Sequence, residues 1–266
     1  MHAHTLPSRQ GLQWLSNSFR IYGKAQVRMP LVVLCYMAVG MVMLMFGMPG
    51  LLLFFLLDPM FSVGLTNLSH RVDQGVKVDP GVIFSGFLKK PGTLLAVGTI
   101  YAGVMLAVFV LALLLFRLVF GEAPLREFAE LFEQAGSARK DIPPEMFASI
   151  TRLFQIALFL HIPPSVVFWH ASILIAWHDL PKGKALFFSL VGCLRNWRAF
   201  LVYVAAIFIV MVLIPNLVLG MLAKFAFGLR GLVAVSMVFM LLVINLWCIG
   251  LYVSYRDIFA TIDETV

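Results

Sequence analysis

Charge is scarce in this chain of 266 residues: Asp, Glu, Lys and Arg make up 12% of it, while 61% is hydrophobic. Soluble domains carry about 25% charged residues and about 45–50% apolar ones. So few charges would not cover so much apolar surface in water, which excludes a soluble fold. Cysteine is rare as well. Cys35, Cys193 and Cys248 lie far apart, each in or beside an apolar segment. No CxxC or Cys/His spacing points to a metal, and all three read as small apolar residues. They give no sign of an oxidising compartment. Catalytic motifs are also missing. There is no G-x-S-x-G, no HExxH, no Walker loop and no pair of intramembrane carboxylates. The expectation is therefore no enzyme activity, no cofactor and no metal.

Apolar sequence is what the chain has in quantity. Between Thr93 and Phe116 there is no Asp, Glu, Lys, Arg or His. A bilayer core needs roughly 20 apolar residues per helix. Six stretches approach or exceed that length: Met29–Gly47, Gly50–Ser69, Pro91–Phe116, Phe154–Trp177, Ala199–Leu222 and Gly231–Tyr255. They predict an all-α, polytopic transmembrane bundle forming a single integral membrane domain. Met48 and Pro49 separate the first two, and Pro49 with Gly50 is expected to break the helix there. The first hairpin, 29–69, either crosses twice or is re-entrant, entering and leaving by one face. The first apolar run begins only near Met29, after a long polar segment, and no small-x-small site follows. It reads as a retained span and not as a cleavable signal.

The net charge of +7 and pI near 9.5 would suit a nucleic-acid binder, but the basic residues sit in short clusters beside the spans. There they set membrane orientation, and no nucleic-acid partner is expected. With six spans, one face receives the N-terminal segment, loops 70–90 and 178–198 and the C-terminal tail. These hold thirteen Lys and Arg, against seven on the other face. Both termini are therefore expected in the cytoplasm.

The order of features recurs along the chain. A short amphipathic stretch ending in basic residues precedes each pair of spans. The first runs from Leu12 through Trp14 and Phe19-Arg20 to Lys24 and Arg28. The second runs from Val82 to Lys89-Lys90, and the third from Leu186 to Arg195-Asn196-Trp197-Arg198. Each pair then closes on a related signature: Ser69-His70-Arg71, Trp177-His178-Asp179 and Ser254-Tyr255-Arg256-Asp257. Three hairpin units follow, at about 11–79, 80–184 and 185–260. Aromatic amphipathic stretches with basic ends lie in the membrane interface, with Trp14, Lys89, Lys90, Arg195, Trp197 and Arg198 as anchors and membrane lipids as partners. The other reading of each stretch is a cytoplasmic extension of the next span. An external segment, 121–153, is expected to hold an amphipathic helix. Pro124 opens it, and Leu125, Phe128, Leu131 and Phe132 fall opposite Glu127, Glu130 and Glu133. After a turn at Arg139-Lys140-Asp141, Pro143-Pro144 starts a helix that runs into the fourth span.

One carboxylate interrupts a span. Asp58, followed by Pro59, ends the run Leu51–Leu57. A charge there costs on the order of 2.5–3.5 kcal/mol on insertion scales and usually faces the bundle interior or a water-filled cavity. At about 1.5 Å per residue, Asp58, His161 and Asn216 lie roughly 12, 10 and 9 Å in from the outer ends of their spans. Each stands near a proline: Pro59, Pro163-Pro164 and Pro215. The three form a candidate polar layer, and broken helices beside such a layer are how many transporters bind substrates and ions. The alternative is that the prolines only kink the helices and the polar side chains satisfy freed carbonyls. His170 and Asn245 read as interhelical hydrogen-bonding residues. His70, His178 and Tyr255, with Asp73, Asp179 and Asp257 nearby in sequence, read as interfacial anchors. His2 and His4 read as accidental.

The run Trp177-His178-Asp179-Leu180-Pro181-Lys182-Gly183-Lys184-Ala185-Leu186-Phe187-Phe188-Ser189, followed by Arg195-Asn196-Trp197-Arg198-Ala199-Phe200, resembles an uncharacterised family of proteobacterial inner-membrane proteins with six spans. Gly11-Leu12-Gln13-Trp14-Leu15 and the run from Gly64 to Arg71-Val72-Asp73-Gln74-Gly75 are similar to it too. The resemblance covers nearly the whole chain, and its specific part is 177–200. The chain departs from it after Tyr22, where Gly23-Lys24-Ala25-Gln26 replaces a basic-x-Pro step. The resemblance implies a bacterial inner-membrane location and no activity. Two functional expectations remain. One is a non-enzymatic scaffold or accessory protein that works with a membrane-protein partner or as a homo-oligomer. The other is a binder or transporter of a small molecule or lipid built around Asp58. An enzyme acting on lipids would need carboxylates or histidines clustered at one membrane face.

Overall fold

A computed structural model describes residues 3–77, 79–126, 144–222 and 229–259, and every element among them is helical. In chain order these are α1 (Gln10–Ala25), α2 (Arg28–Leu44), α3 (Gly47–Asp73), a 3₁₀ turn (Pro80–Phe84), α4 (Ser85–Leu88) and α5 (Pro91–Phe120). Then come α6 (Pro144–Phe168), α7 (Ala171–His178), α8 (Lys182–Arg195), α9 (Trp197–Ile207), a π-helical stretch (Phe208–Leu213), α10 (Ile214–Leu222) and α11 (Leu229–Phe259). Among the described residues, four helical segments are long and apolar enough to cross a membrane: Gly47–Asp73, Pro91–Phe120, Phe147–His178 and Val235–Phe259. The number rises to six if each of two bent helix pairs is one span.

The bent pairs are α1 with α2, at 98°, and α8 with α9, at 75°. Their first members are the amphipathic stretches. In α1 the buried positions Gly11, Trp14, Leu15, Ser18, Ile21 and Ala25 recur every three or four residues, which places them on one helix face. Lys24 and the half-exposed Leu12 lie on the other side. The first bend sits at Gln26, whose φ of +52° takes the chain out of the right-handed helix. The second sits at Asn196, a buried side chain that holds three backbone groups. Its Oδ1 accepts from Leu6 N at 2.8 Å, and its Nδ2 donates to His4 O at 2.8 Å and Gly192 O at 2.9 Å.

The break between the first two long helices falls at Met45-Phe46, three residues before the expected Pro49-Gly50. Pro49 stands in the first turn of α3, where its missing N–H has no intrahelical partner to lose. Gly47 makes the corner with a φ of +65°. At Pro215 the ring removes one hydrogen bond and crowds the preceding turn. The chain meets this with the π-helical stretch just before it.

The chain divides into two compact units. One comprises Met1–Gly98 with Val166–Val266. In it α1 packs on α9 and α11, α2 and α11 pack on α3, and α7 packs on α3 and α8. Ala171–Ala176 of α7 are all buried, so α7 is a central strut. The 3₁₀ turn and α4 fold back along α3. A Cβ on Gly64 would stand 2.0 Å from Ile83 O, and glycine is what lets this segment approach. Gly64→Ala forces the turn off α3 and is expected to lower stability by about 1–3 kcal/mol. Denaturant unfolding in detergent micelles measures the loss.

The other unit is Thr99–Ser165. Here Arg152 lies over the Phe120 ring at 5.1 Å. Glu122 pairs with Arg117 and, at 2.9 Å, with Arg126. The expected external amphipathic helix falls mostly on 127–143, outside the described residues. Before it, residues 123–126 form a helical turn containing Pro124.

Candidate functional site: a polar plate at one end of the bundle

The closing signatures of the three span pairs meet in the first unit. α3, α7 and α11 each end in polar residues, and packing sets those ends side by side. Asp73, on the last turn of α3, is the hub, with 13% of its side chain exposed. Arg20 Nη2 of α1 lies 3.1 Å from Oδ1 and Arg256 Nη1 of α11 lies 2.9 Å from Oδ2. Tyr252 donates its hydroxyl to Oδ2 at 3.2 Å. Lys24 Nζ donates to the Asp73 carbonyl at 3.2 Å.

Asp257 is a second, smaller hub. Gln10 Nε2 and Trp14 Nε1 donate to its Oδ2 at 2.7 and 3.0 Å, and Arg256 Nε donates to Oδ1 at 2.9 Å. Arg256 therefore bridges two carboxylates through separate edges of its guanidinium, the geometry its planar fork favours. The plate bolts α1 to α3 and α11.

An aromatic layer lies beneath. Trp177 of α7 stacks near His70 of α3 at 5.2 Å and near Tyr255 of α11 at 5.1 Å. Its Nε1 donates to Asn67 Oδ1 at 2.8 Å, and Asn67 Nδ2 donates to Ser85 Oγ at 2.7 Å. His70 Nδ1 lies 3.3 Å from the Tyr252 hydroxyl. His178 Nε2 hydrogen-bonds the Tyr255 hydroxyl. About two turns before Trp177, fully buried His170 sits at the break between α6 and α7. Its Nε2 is 3.1 Å from Ser254 Oγ, its Nδ1 is 3.8 Å from Cys193 Sγ, and its N–H donates to Ser189 Oγ at 2.9 Å. Chemically the plate is two carboxylates shared among three cations and several dipoles, each carboxylate partnered from within the chain. Among the described residues no group of three His, Cys, Asp or Glu side chains is placed to hold a metal.

The residues of the expected polar layer have separate surroundings. Asp58 of α3 accepts a 2.6 Å hydrogen bond at Oδ1 from the Tyr36 hydroxyl of α2, whose ring packs on Phe54 and Phe61. Cys248 of α11 is within electrostatic reach of the carboxyl. Asn245, one turn from Cys248, is fully buried. Its Nδ2 donates to Leu241 O, while its Oδ1 has no partner among the described residues. His161 belongs to the second unit, where its carbonyl accepts from Ser165 Oγ at 2.9 Å. Asn216 lies in α10, and its side chain is outside those described.

The expected anchors also differ among themselves. Trp14 is fully enclosed by protein, against Phe200 and Tyr203. Trp197 is 52% exposed, with the Arg198 guanidinium over its ring at 5.4 Å. Lys89 is exposed. Lys90 reaches Asp179 at 3.2 Å, and both residues have left-handed backbone. Arg195 Nε donates to Thr5 Oγ1 at 3.1 Å. His4 contributes backbone groups, its N–H donating to Ile258 O, and His2 lies outside the described residues. Asn196, Asn67 and Gln10 were not singled out from sequence. Isolated amides carry no periodic signal, and their partners are remote in the chain.

Residues 47–160 match the family model described as "Predicted integral membrane protein (DUF2189)". The match ends before the 177–200 stretch that carried the resemblance. Over 205 residues the chain is 29% identical to a probable inner membrane protein of Burkholderia thailandensis, covering 74% of this chain and 71% of the relative. No solved structure matches the chain. Neither description names an activity. With its apolar helices, these likenesses make the chain an integral inner-membrane protein similar to the DUF2189 proteins.

Proposed function

We propose that the chain is a non-enzymatic scaffold or accessory protein of the inner membrane. It is built as three hairpin units, about 11–79, 80–184 and 185–260, each introduced by an interfacial helix, with both termini in the cytoplasm. The supporting observation is the internal saturation of the plate. Asp73 and Asp257 between them engage Arg20, Arg256, Tyr252, Gln10 and Trp14. Charges satisfied in this way hold helices together. The sharp bends at Gln26 and Asn196 support interfacial placement of α1 and α8. The test is purification from native membranes in several mild detergents. A partner recovered in fixed stoichiometry, either another membrane protein or a second copy of the chain, is the expected result. A chain that emerges alone and monomeric in each detergent contradicts the proposal. Reporter fusions test the topology: a cytoplasmic signal at both termini and an external one at residue 121 are expected.

A second reading rests on Asp58. Asn245, whose buried Oδ1 has no partner among the described residues, stands one turn before Cys248, the α11 residue that interacts with the Asp58 carboxyl. A small polar ligand or cation bridging Asp58 and Asn245 would satisfy both. Loss of measurable ligand-induced stabilisation in Asp58→Asn would support this reading. Identical ligand response in wild type and variant would remove it.

A further inference from the structure

An open groove of about 230 Å³ lies between α2, α3 and the 3₁₀ turn. Val32, Cys35 and Val39 of α2 form one wall, Phe61 of α3 the floor, and Pro80, Gly81, Ile83 and Phe84 the other wall. Its volume is below the roughly 300–1,000 Å³ of pockets that enclose drug-sized ligands. A slender occupant fits better than a compact one. The lining is apolar, Phe84 is 54% exposed and Cys35 is exposed, so the groove opens sideways from the helices. In a membrane that direction is lipid.

The α2 wall of the groove also leads to a charge. Val32, Cys35 and Val39 stand four, seven and eleven residues after Arg28. This spacing puts Arg28 on the same helical stripe, one turn before Val32 at the end of the groove wall. Arg28 is exposed, and among the described residues no ion pair engages it. The acid on the opposite wall, Asp79, is turned back on its own chain, with Oδ1 accepting from Gly81 N at 3.3 Å. The groove thus ends in one uncommitted cation with five donors, suited to a phosphate.

We infer that this groove holds one acyl chain of a phospholipid whose phosphate rests on Arg28. The site is separate from the polar plate and does not depend on the scaffold reading. It resembles the basic mouths between helices that retain lipid headgroups at the cytoplasmic surface.

Native mass spectrometry of the full chain in detergent tests it, with dioleoyl phosphatidylglycerol and dioleoylglycerol as probes. The two share acyl chains and differ in the phosphate. Wild type is expected to retain one phosphatidylglycerol and to favour it over dioleoylglycerol by about fivefold or more. Arg28→Gln abolishes that preference. Cys35→Trp fills the groove and removes the retained lipid, whereas Met41→Trp, at an exposed α2 position outside the lining, leaves it. Val39→Phe is the milder filling variant should Cys35→Trp fail to fold. Equal retention of the two probes by wild type overturns the inference. So does undiminished phosphatidylglycerol retention in a folded groove-filling variant.

Discussion

Trp14→Ala is expected to cost about 3–5 kcal/mol, the range for truncating a fully enclosed large aromatic. The ring has no exposed surface, and it meets Phe200 at 4.9 Å and Tyr203 at 6.1 Å. Its indole N–H is one of three donors to Asp257. Truncation removes both the packing that seats α1 and a bond that fixes its angle. Trp14→Phe separates the two contributions. The phenyl keeps part of the ring packing, and the loss is the hydrogen bond plus the volume of the second ring, at about 1–3 kcal/mol. Denaturant unfolding in detergent measures both, and limited proteolysis around Arg20 and Lys24 reports release of α1. If the alanine variant is as stable as wild type, α1 is not seated by this residue.

The second large effect falls on Asp73→Ala. The lost partners are of unequal value. Arg20 and Lys24 are about half exposed, at 48% and 45%, and exposed pairs contribute about 0–1 kcal/mol each. Arg256 is less exposed, at 31%, and shares the carboxylate with buried Tyr252. Removing one partner of a fully buried charge pair costs about 3–5 kcal/mol. Here Arg256 keeps Asp257 and is partly exposed, which reduces the cost to about 2–3 kcal/mol. Added salt should weaken the wild type slightly through Arg20 and Lys24 and leave the Arg256 contribution largely intact. Asp73→Asn is milder, because its amide oxygen still accepts from Tyr252.

The long helices were legible because each is a nearly unbroken apolar run, and such runs need no knowledge of their neighbours. Their ends were harder to read. Pro49 looked like the breaker, but proline is at home in a first helical turn, and Gly47 made the corner. The polar site was half legible. His70, His178, Tyr255, Asp73 and Asp257 stood out as recurring ends of span pairs. Their convergence depends on packing between residues 53 to 247 positions apart, such as Arg20–Asp73 and Gln10–Asp257. No local pattern encodes those pairs. Asp58 was visible as a charge within a span. Its partner Tyr36 was not, since register across a helical hairpin depends on where the turn falls. Asn196 illustrates the limit. A single amide between Arg195 and Trp197 fixes a 75° bend by holding a segment 190 residues away.

Asp73 and Arg256 lock α1, α3 and α11 together. A double-mutant cycle with Asp73→Asn, Arg256→Gln and the double variant measures this directly, read by denaturant unfolding of the full chain in detergent. The expected coupling is about 1–2 kcal/mol, the double variant losing less than the two singles together. Additivity within about 0.5 kcal/mol would show that the two residues act independently and would contradict the claim.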